Sequence, residues 1–309
     1  TTDGGYILAG YKAISLNNYD YWIVKLNSNA DIEWEKTYGG SNTDKATCIQ
    51  QTADGSYIVA GYSYSVNGNV TNNNGGSDAW ILKLSTNGDI EWQKTYGGSA
   101  DDYFKSIKQT TDNGYIIVGV TYSNDGNIPN NQGNFDAWII KIDVNGNLEW
   151  SKTFGGTDYE QINNVQQTTN GEYLILGQTE SINGDITNNH GNIDLWIIKL
   201  QTNGNLQWQK TYGGSGFDVA SCIQKTNDGH YIVAGITDSN DGDITNSHGD
   251  KDAWVVKIDD LGTILQQTTI GTNGSEGVNS ILQTHNNNFL VVGSSQNANS
   301  NIKNIFIAT

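Results

Sequence analysis

The chain has 309 residues, 36% of them hydrophobic, with 37 Gly, one Pro, no Met and two Cys, which excludes collagen, disulfide-scaffold and membrane classes. Its 33 acidic and 16 basic residues leave a net charge of −17, and every basic residue is Lys. An acidic surface without a guanidinium fork excludes nucleic acid as a partner.

A repeat governs the predicted elements. Trp22, Trp80, Trp138, Trp196 and Trp254 stand 58 residues apart, and Trp34, Trp92, Trp150 and Trp208 keep the same step. A third marker, Tyr6 to Gly10 (YILAG), returns as Tyr57 to Gly61, Tyr115 to Gly119, Tyr173 to Gly177, Tyr231 to Gly235 and Phe289 to Gly293, giving six copies. A complete copy carries four β-rich runs, A to D. In the second copy these are Ala46 to Thr52, Tyr57 to Tyr62, Ala79 to Leu84 and Ile90 to Tyr96. Asp54-Gly55, Asn113-Gly114, Asn170-Gly171 and Asp228-Gly229 between A and B, and Asn87-Gly88, Asn145-Gly146 and Asn203-Gly204 between C and D, tolerate positive φ and mark tight hairpins. Runs B and C are near-continuously apolar (YIVAG, AWILKL), as in sheets covered on both faces, whereas D alternates as an outer strand does. The runs are too short, too β-branched and too Gly-punctuated for a helical solenoid. The predicted fold is all-β: a six-bladed β-propeller of four-stranded antiparallel blades, one domain over residues 1–309.

Thr1 aligns with Thr52 and Thr309 with Lys257, so blade one lacks its inner strand and blade six its outer one. The expected ring closure uses strands from both chain ends, with a segment of about 26 residues ahead of Thr1 supplying the missing pair. No basic opening leads into an apolar stretch and no apolar run reaches bilayer length, so neither a signal peptide nor a membrane span is expected. With Thr in the first position, a processed or trimmed piece is expected.

The string DAWILKLSTNGDIEWQKTYGG from Asp78 to Gly98, with IVAGYS upstream, resembles the β-propeller repeats of secreted and cell-surface proteins common in Bacteroidota, many of them exported by the type IX route. The likeness extends through all six copies. In strand order the chain is also similar to kelch propellers, with A nearest the axis and D outside. The resemblance implies an extracellular or cell-surface location and a place among other domains of a longer surface protein. It implies no single activity.

Antiparallel order puts the A–B and C–D turns at one end of each blade and the B–C and D–A connections at the other. The second end carries long polar loops such as Ser63 to Ser77, Thr121 to Phe135, Thr179 to Ile193 and Thr237 to Lys251, and such loops on a rigid scaffold are where binding is expected. Two series of carboxylates fall there. Asp44, Asp102, Glu160, Asp218 and Glu276 precede strand A, around the channel mouth if A is innermost, and Asp20, Asp78, Asp136, Asp194 and Asp252 precede strand C. Like charges held close need a cation or a Lys between them, and hard oxygen ligands suit Ca²⁺, so all ten are candidate metal ligands. The same recurrence fits a short acidic side chain closing an Asx-type turn in every blade, with Lys25, Lys83, Lys141, Lys199 and Lys257 as partners. Both readings stand at this point.

Every Trp occupies a periodic strand position, which points to core packing or blade edges. Tyr62, Tyr64, Tyr103, Tyr122 and Tyr159, at loops and strand ends, are candidates for a glycan or protein contact. Cys48 and Cys222 lie three repeats apart, in opposite blades of a six-blade ring. They are expected to exceed the roughly 7 Å limit of a disulfide and to be small buried thiols. His190 and His248 occupy equivalent loop positions without the companions of a zinc site, and no G-x-S-x-G elbow marks a nucleophile. Shortened B–C loops, Asn17 to Tyr19 in blade one and Gln296 to Asn301 in blade six, break the symmetry. The expected function is non-enzymatic binding or adhesion, extracellular recognition of a protein or glycan through the loop-rich face, with Ca²⁺ as the candidate ion. The alternatives are a structural display or spacer module, and a polysaccharide hydrolase or lyase whose carboxylates stand about 5 to 10 Å apart.

Overall fold

Residues 1–296 and 303–308 are described by the computed structural model. All regular structure in them is β, in 22 strands, and no helix is long and apolar enough to cross a membrane. The chain divides into two compact units, Thr1–Phe154 and Gly155–Thr309.

The first unit holds three antiparallel sheets. Strands β1 (Tyr6–Ser15), β2 (Asn18–Leu26) and β3 (Ile32–Tyr38) form the first. Strands β4 (Asp44–Gln51), β5 (Tyr57–Ser63), β6 (Asp78–Leu84) and β7 (Ile90–Tyr96) form the second. Strands β8 (Asp102–Gln109), β9 (Tyr115–Thr121), β10 (Asp136–Ile142) and β11 (Leu148–Phe154) form the third, each sheet being ordered as the chain runs. The second unit repeats the plan. Its sheets are β12 (Glu160–Gln167), β13 (Tyr173–Thr179), β14 (Asp194–Leu200) and β15 (Leu206–Tyr212); then β16 (Asp218–Lys225), β17 (Tyr231–Thr237), β18 (Asp252–Ile258) and β19 (Ile264–Ile270); then β20 (Ser275–Gln283), β21 (Phe289–Gln296) and β22 (Lys303–Ala308). The four predicted runs thus form one sheet each, and the first and sixth sheets have three strands. Apart from Gln296, the B–C connection of the sixth copy lies outside the described residues.

In the four-stranded sheets, strands B and C are mainly apolar because both faces are covered, whereas β1 of the first sheet is largely exposed. In the first unit, Ile58, Ala60 and Ile81 of the second sheet pack with Phe104, Ile107, Tyr115 and Trp138 of the third. Trp80, Trp138, Trp196 and Trp254 are fully buried, and each indole N–H still finds an acceptor on strand D. Trp80 Nε1 donates to Gln93 at 2.9 Å, and Trp196 Nε1 to Gln209 at 2.8 Å, as a buried indole requires. Two members of the second Trp series lie at sheet junctions within the first unit, where Trp34 meets Tyr57 and Trp92 meets Tyr115 with ring centroids 6.0 and 6.2 Å apart.

Every complete pairing of strand A with strand B carries a bulge that the sequence reading missed. The register shifts between Ala46 and Cys48, between Phe104 and Ser106, and at the equivalent places in β12, β16 and β20. The bulged residue turns toward the next sheet, Thr47 Oγ1 donating to the Phe104 carbonyl at 2.7 Å and Asn163 Nδ2 to the Ala220 carbonyl at 2.8 Å. A Gly inside a strand commonly marks such a bulge. Here a Cβ at Gly119 would stand 1.8 Å from the Tyr103 carbonyl oxygen, and one at Gly61 would stand 2.1 Å from that of Lys45.

The repeated Lys residues go elsewhere than the two carboxylate series. They sit at the tight-turn end, where Lys83 pairs with Asp54 at 3.0 Å, and Lys141 pairs with Asp112 and Glu149 at 2.9 Å each. Burial pushes Asp112 up, but the Thr110 hydroxyl and the Lys141 ammonium prevail and hold it at about 2. The Lys141 side chain is 2% exposed, so its removal leaves a void as well as an unmatched charge. Lys141→Ala is expected to cost about 3 kcal/mol and Lys141→Met, which refills the channel of the stem, about 1 kcal/mol. Urea denaturation measures both, and equal losses in the two variants would contradict this division.

Candidate functional site

The predicted loop-bearing end is built by hydrogen bonds from both carboxylate series. Asp44, Asp102, Glu160 and Asp218 are the first residues of their strands, and Glu276 is the second residue of β20. Asp102 illustrates the series. Its Oδ2 accepts from the Gly98 amide and the Ser123 hydroxyl, both at 2.8 Å, and its Oδ1 accepts from Thr121 Oγ1 at 2.5 Å. One buried carboxylate therefore ties the D–A turn to the beginning of the B–C loop. Asp78, Asp136, Asp194 and Asp252 open strand C, and Asp20 lies within β2. Each of the four strand-opening carboxylates takes the amide four residues earlier, at 3.0 Å from Asn74, 2.8 Å from Gln132, 2.8 Å from His190 and 2.6 Å from His248. These are the turn-closing bonds that a short acidic side chain makes. Among the described residues no three His, Cys, Asp or Glu side chains gather as a metal-holding group.

The two series meet in pairs. The Ser77 carbonyl accepts the Asp102 amide at 2.7 Å, and the Ile193 carbonyl accepts that of Asp218 at 2.7 Å, so the end of one B–C loop is stitched to the start of the next sheet. A Cβ at Gly97 would stand 2.5 Å from Asp78 Oδ1 and 2.7 Å from Asp102 Oδ2, and one at Gly39 would stand 2.5 Å from both Asp20 Oδ1 and Asp44 Oδ2. The first Gly of the recurring Gly-Gly is thus required by two carboxylates crowding one point. The second is required by the loop, since a Cβ at Gly98 would stand 2.3 Å from Asp125 Oδ1. Asp78 Oδ1, Asp194 Oδ1 and Asp252 Oδ1 are buried and have no hydrogen-bond partner among the described residues. Burial, reinforced by the Asp102 charge and opposed by the Asn74 amide, pushes Asp78 up to about 6. Burial likewise raises Asp20, Asp44, Asp102, Asp194 and Asp218, and in Asp194 the His190 ring, 2.7 Å away, works against it.

The long loops are pinned down. Val70, Ile128, Ile186 and Ile244 are buried, one in each loop, and the Asn69 side chain and amide bond the Gly39 amide and carbonyl at 3.1 and 2.9 Å. The apolar anchor is a signal that the sequence reading passed over, because a single Val or Ile inside a polar run has no periodicity to betray it.

Four of the five candidate tyrosines come together in the first unit. Tyr62 meets Tyr103 edge to face with centroids 4.7 Å apart, Tyr103 meets Tyr122 at 6.3 Å, and the Tyr64 and Tyr103 hydroxyls lie 3.0 Å apart. The row extends to Phe135, 4.8 Å from Tyr122. On its other side Lys45, opposite Tyr62 in register, places its ammonium over Tyr11 and Tyr19, at 4.7 and 5.1 Å. The fifth candidate, Tyr159, stands in the second unit. The cysteines are both unpaired, and burial pushes each thiol up to about 11, away from the reactive thiolate.

No protein-family model and no curated protein sequence matches the chain. Solved structures do. The β-propeller domain of the Trilobed protease from Pyrococcus furiosus, described as having an open velcro topology, is similar with a TM-score of 0.51 at 12% identity, over 98% of this chain and 77% of that one. A mutant of the Synechocystis apocarotenoid oxygenase gives a TM-score of 0.51 at 13% identity over 93% of this chain, which spans 66% of that protein's length. At such identities the likeness shows the fold alone, a β-propeller built of repeated antiparallel sheets.

Proposed function

We propose that this chain is an extracellular, non-enzymatic binding module that recognises a protein or glycan ligand through the loop-bearing ends of its sheets. The observation that carries this reading is the aromatic row, because the fold does not require it. The repeat positions of Tyr64 and Tyr122 hold Glu180 and Asp238 in later copies, and that of Tyr62 holds Val120, Gln178 and Ile236. A position filled by a carboxylate in one sheet and an exposed phenol in another is not fixed by packing, and exposed aromatic side chains on a rigid scaffold are common binding anchors. The six copies of the repeat and the propeller neighbour support a six-bladed propeller, and its closure by strands from both chain ends is our reading of the three-stranded first and sixth sheets.

Arrays of glycans and purified extracellular proteins, probed with the labelled chain, test this reading. Binding is expected that falls at least about tenfold in Tyr122→Ala and is unchanged in Asn87→Ala, at the tight-turn end. Binding that responds only to the tight-turn variant would contradict it.

A further inference from the structure

We infer that the tyrosine row of the first unit is a carbohydrate site and that it takes a neutral polysaccharide. This rests on the binding reading above and narrows it to one place and one ligand class. The rings recur with the repeat, Tyr11 and Tyr62 at one position of successive sheets and Tyr64 and Tyr122 at another. A row of rings at equivalent steps suits a ligand that repeats as well, since each sugar then finds a similar contact and the weak contacts add.

The chemistry of the row fits a pyranose. A pyranose presents a C–H face that packs on an aromatic ring and a rim of hydroxyls that seeks neutral donors and acceptors. Tyr11 is 52% exposed and Tyr122 is 44% exposed, so ring surface is available at both of these positions. Between them, hydroxyls and amides border the rings: the Tyr64–Tyr103 hydroxyl pair, and Asn42, whose amide holds the Tyr64 carbonyl at 3.0 Å. The charge selects among sugars. The Lys45 ammonium, lying over two rings, is engaged by cation–π contact, and with a net charge of −17 and no Arg the surface repels a polyanion. An acidic glycan is therefore disfavoured. A protein partner is less well served, since protein hot spots are built on Trp, Tyr and Arg and here no Arg exists.

Affinity electrophoresis tests this in gels containing soluble β-1,3-glucan, mixed-linkage β-glucan, galactomannan, xyloglucan or α-glucan, with alginate as the polyanion. At least one neutral polymer is expected to retard the chain and alginate is not. Retardation is expected to weaken at least about tenfold in Tyr122→Ala and in Tyr11→Ala and to survive in Tyr122→Phe, which keeps the ring face. Circular dichroism melting verifies that each variant is folded. If no neutral polymer retards the chain while a protein on the arrays binds in a Tyr122-dependent way, the carbohydrate assignment falls and the binding reading stands. If nothing binds in a Tyr122-dependent way, both fall.

Discussion

Gly119→Ala is expected to destabilise the protein by about 4 kcal/mol or more, while Gly10→Ala, at the same repeat position, is expected to change stability by less than about 0.5 kcal/mol. The two glycines differ in what faces them. At Gly119 the bulged strand β8 swings its Tyr103 carbonyl to 1.8 Å from where a Cβ would be, and that oxygen is backbone, held by its own ladder. At Gly10 a Cβ would meet nothing within 4 Å, because β1 begins its sheet and no strand A lies beside it. Urea denaturation of the two variants measures the contrast, and equal losses would show that the Gly serves the strand's own conformation and not the bulge. The same pair reports on ring closure. In a longer chain that carries the strand proposed ahead of Thr1, Gly10→Ala is expected to become as costly as Gly119→Ala.

That a Gly is needed inside strand B was visible in the sequence, but its reason was not. Periodicity locates residues that do the same thing in every copy, and so it exposed the Trp positions, the Asp-Gly and Asn-Gly turns, the sheet order and both carboxylate series. It is silent about relations between elements at different phases of the repeat. Asp78 and Asp102 are 24 positions apart and converge only because the B–C loop of one sheet is stitched to the first strand of the next. Lys83 shares the repeat with Asp78 but turns to Asp54, since strand C delivers it to the opposite end. The aromatic row is harder still. Tyr62, Tyr64, Tyr103 and Tyr122 were legible as candidates at loops and strand ends, and Tyr11 shares the repeat position of Tyr62 as Tyr19 shares that of Phe135, yet only the packing of successive sheets shows that these different positions meet.

Acidification from about pH 7.5 to about pH 5 is expected to raise the melting temperature, which is unusual for a protein whose charge is mostly carboxylate. The sign follows from the paired carboxylates. Asp78 is held up to about 6 in the folded chain, and Asp20, Asp44, Asp102, Asp194 and Asp218 are raised as well. A carboxyl group whose folded pKa lies above its unfolded value of about 4 binds its proton more tightly in the native state, so stability grows as pH falls through the folded pKa. The groups around the Asp78–Asp102 pair offer no relief, since Asp101 and Asp125 of the adjoining loops are also acidic and bond Ser77 and Ser99. Asp54 and Asp112, held at about 2 despite burial by Thr hydroxyls and their Lys partners, act in the opposite sense, but their contribution is lost only below about pH 4. The optimum therefore falls between these limits. General relief of negative charge on acidification has the same sign, and Asp78→Asn separates the two causes. The amide keeps an acceptor for the Asn74 N–H and turns a donor toward Asp102, so this variant is expected to gain about 1–3 kcal/mol at about pH 7.5 and to show a shallower rise on acidification. Calorimetry across the pH range measures both. A loss of stability at neutral pH with the slope unchanged would mean that the Asp78 carboxylate is satisfied in its ionised form.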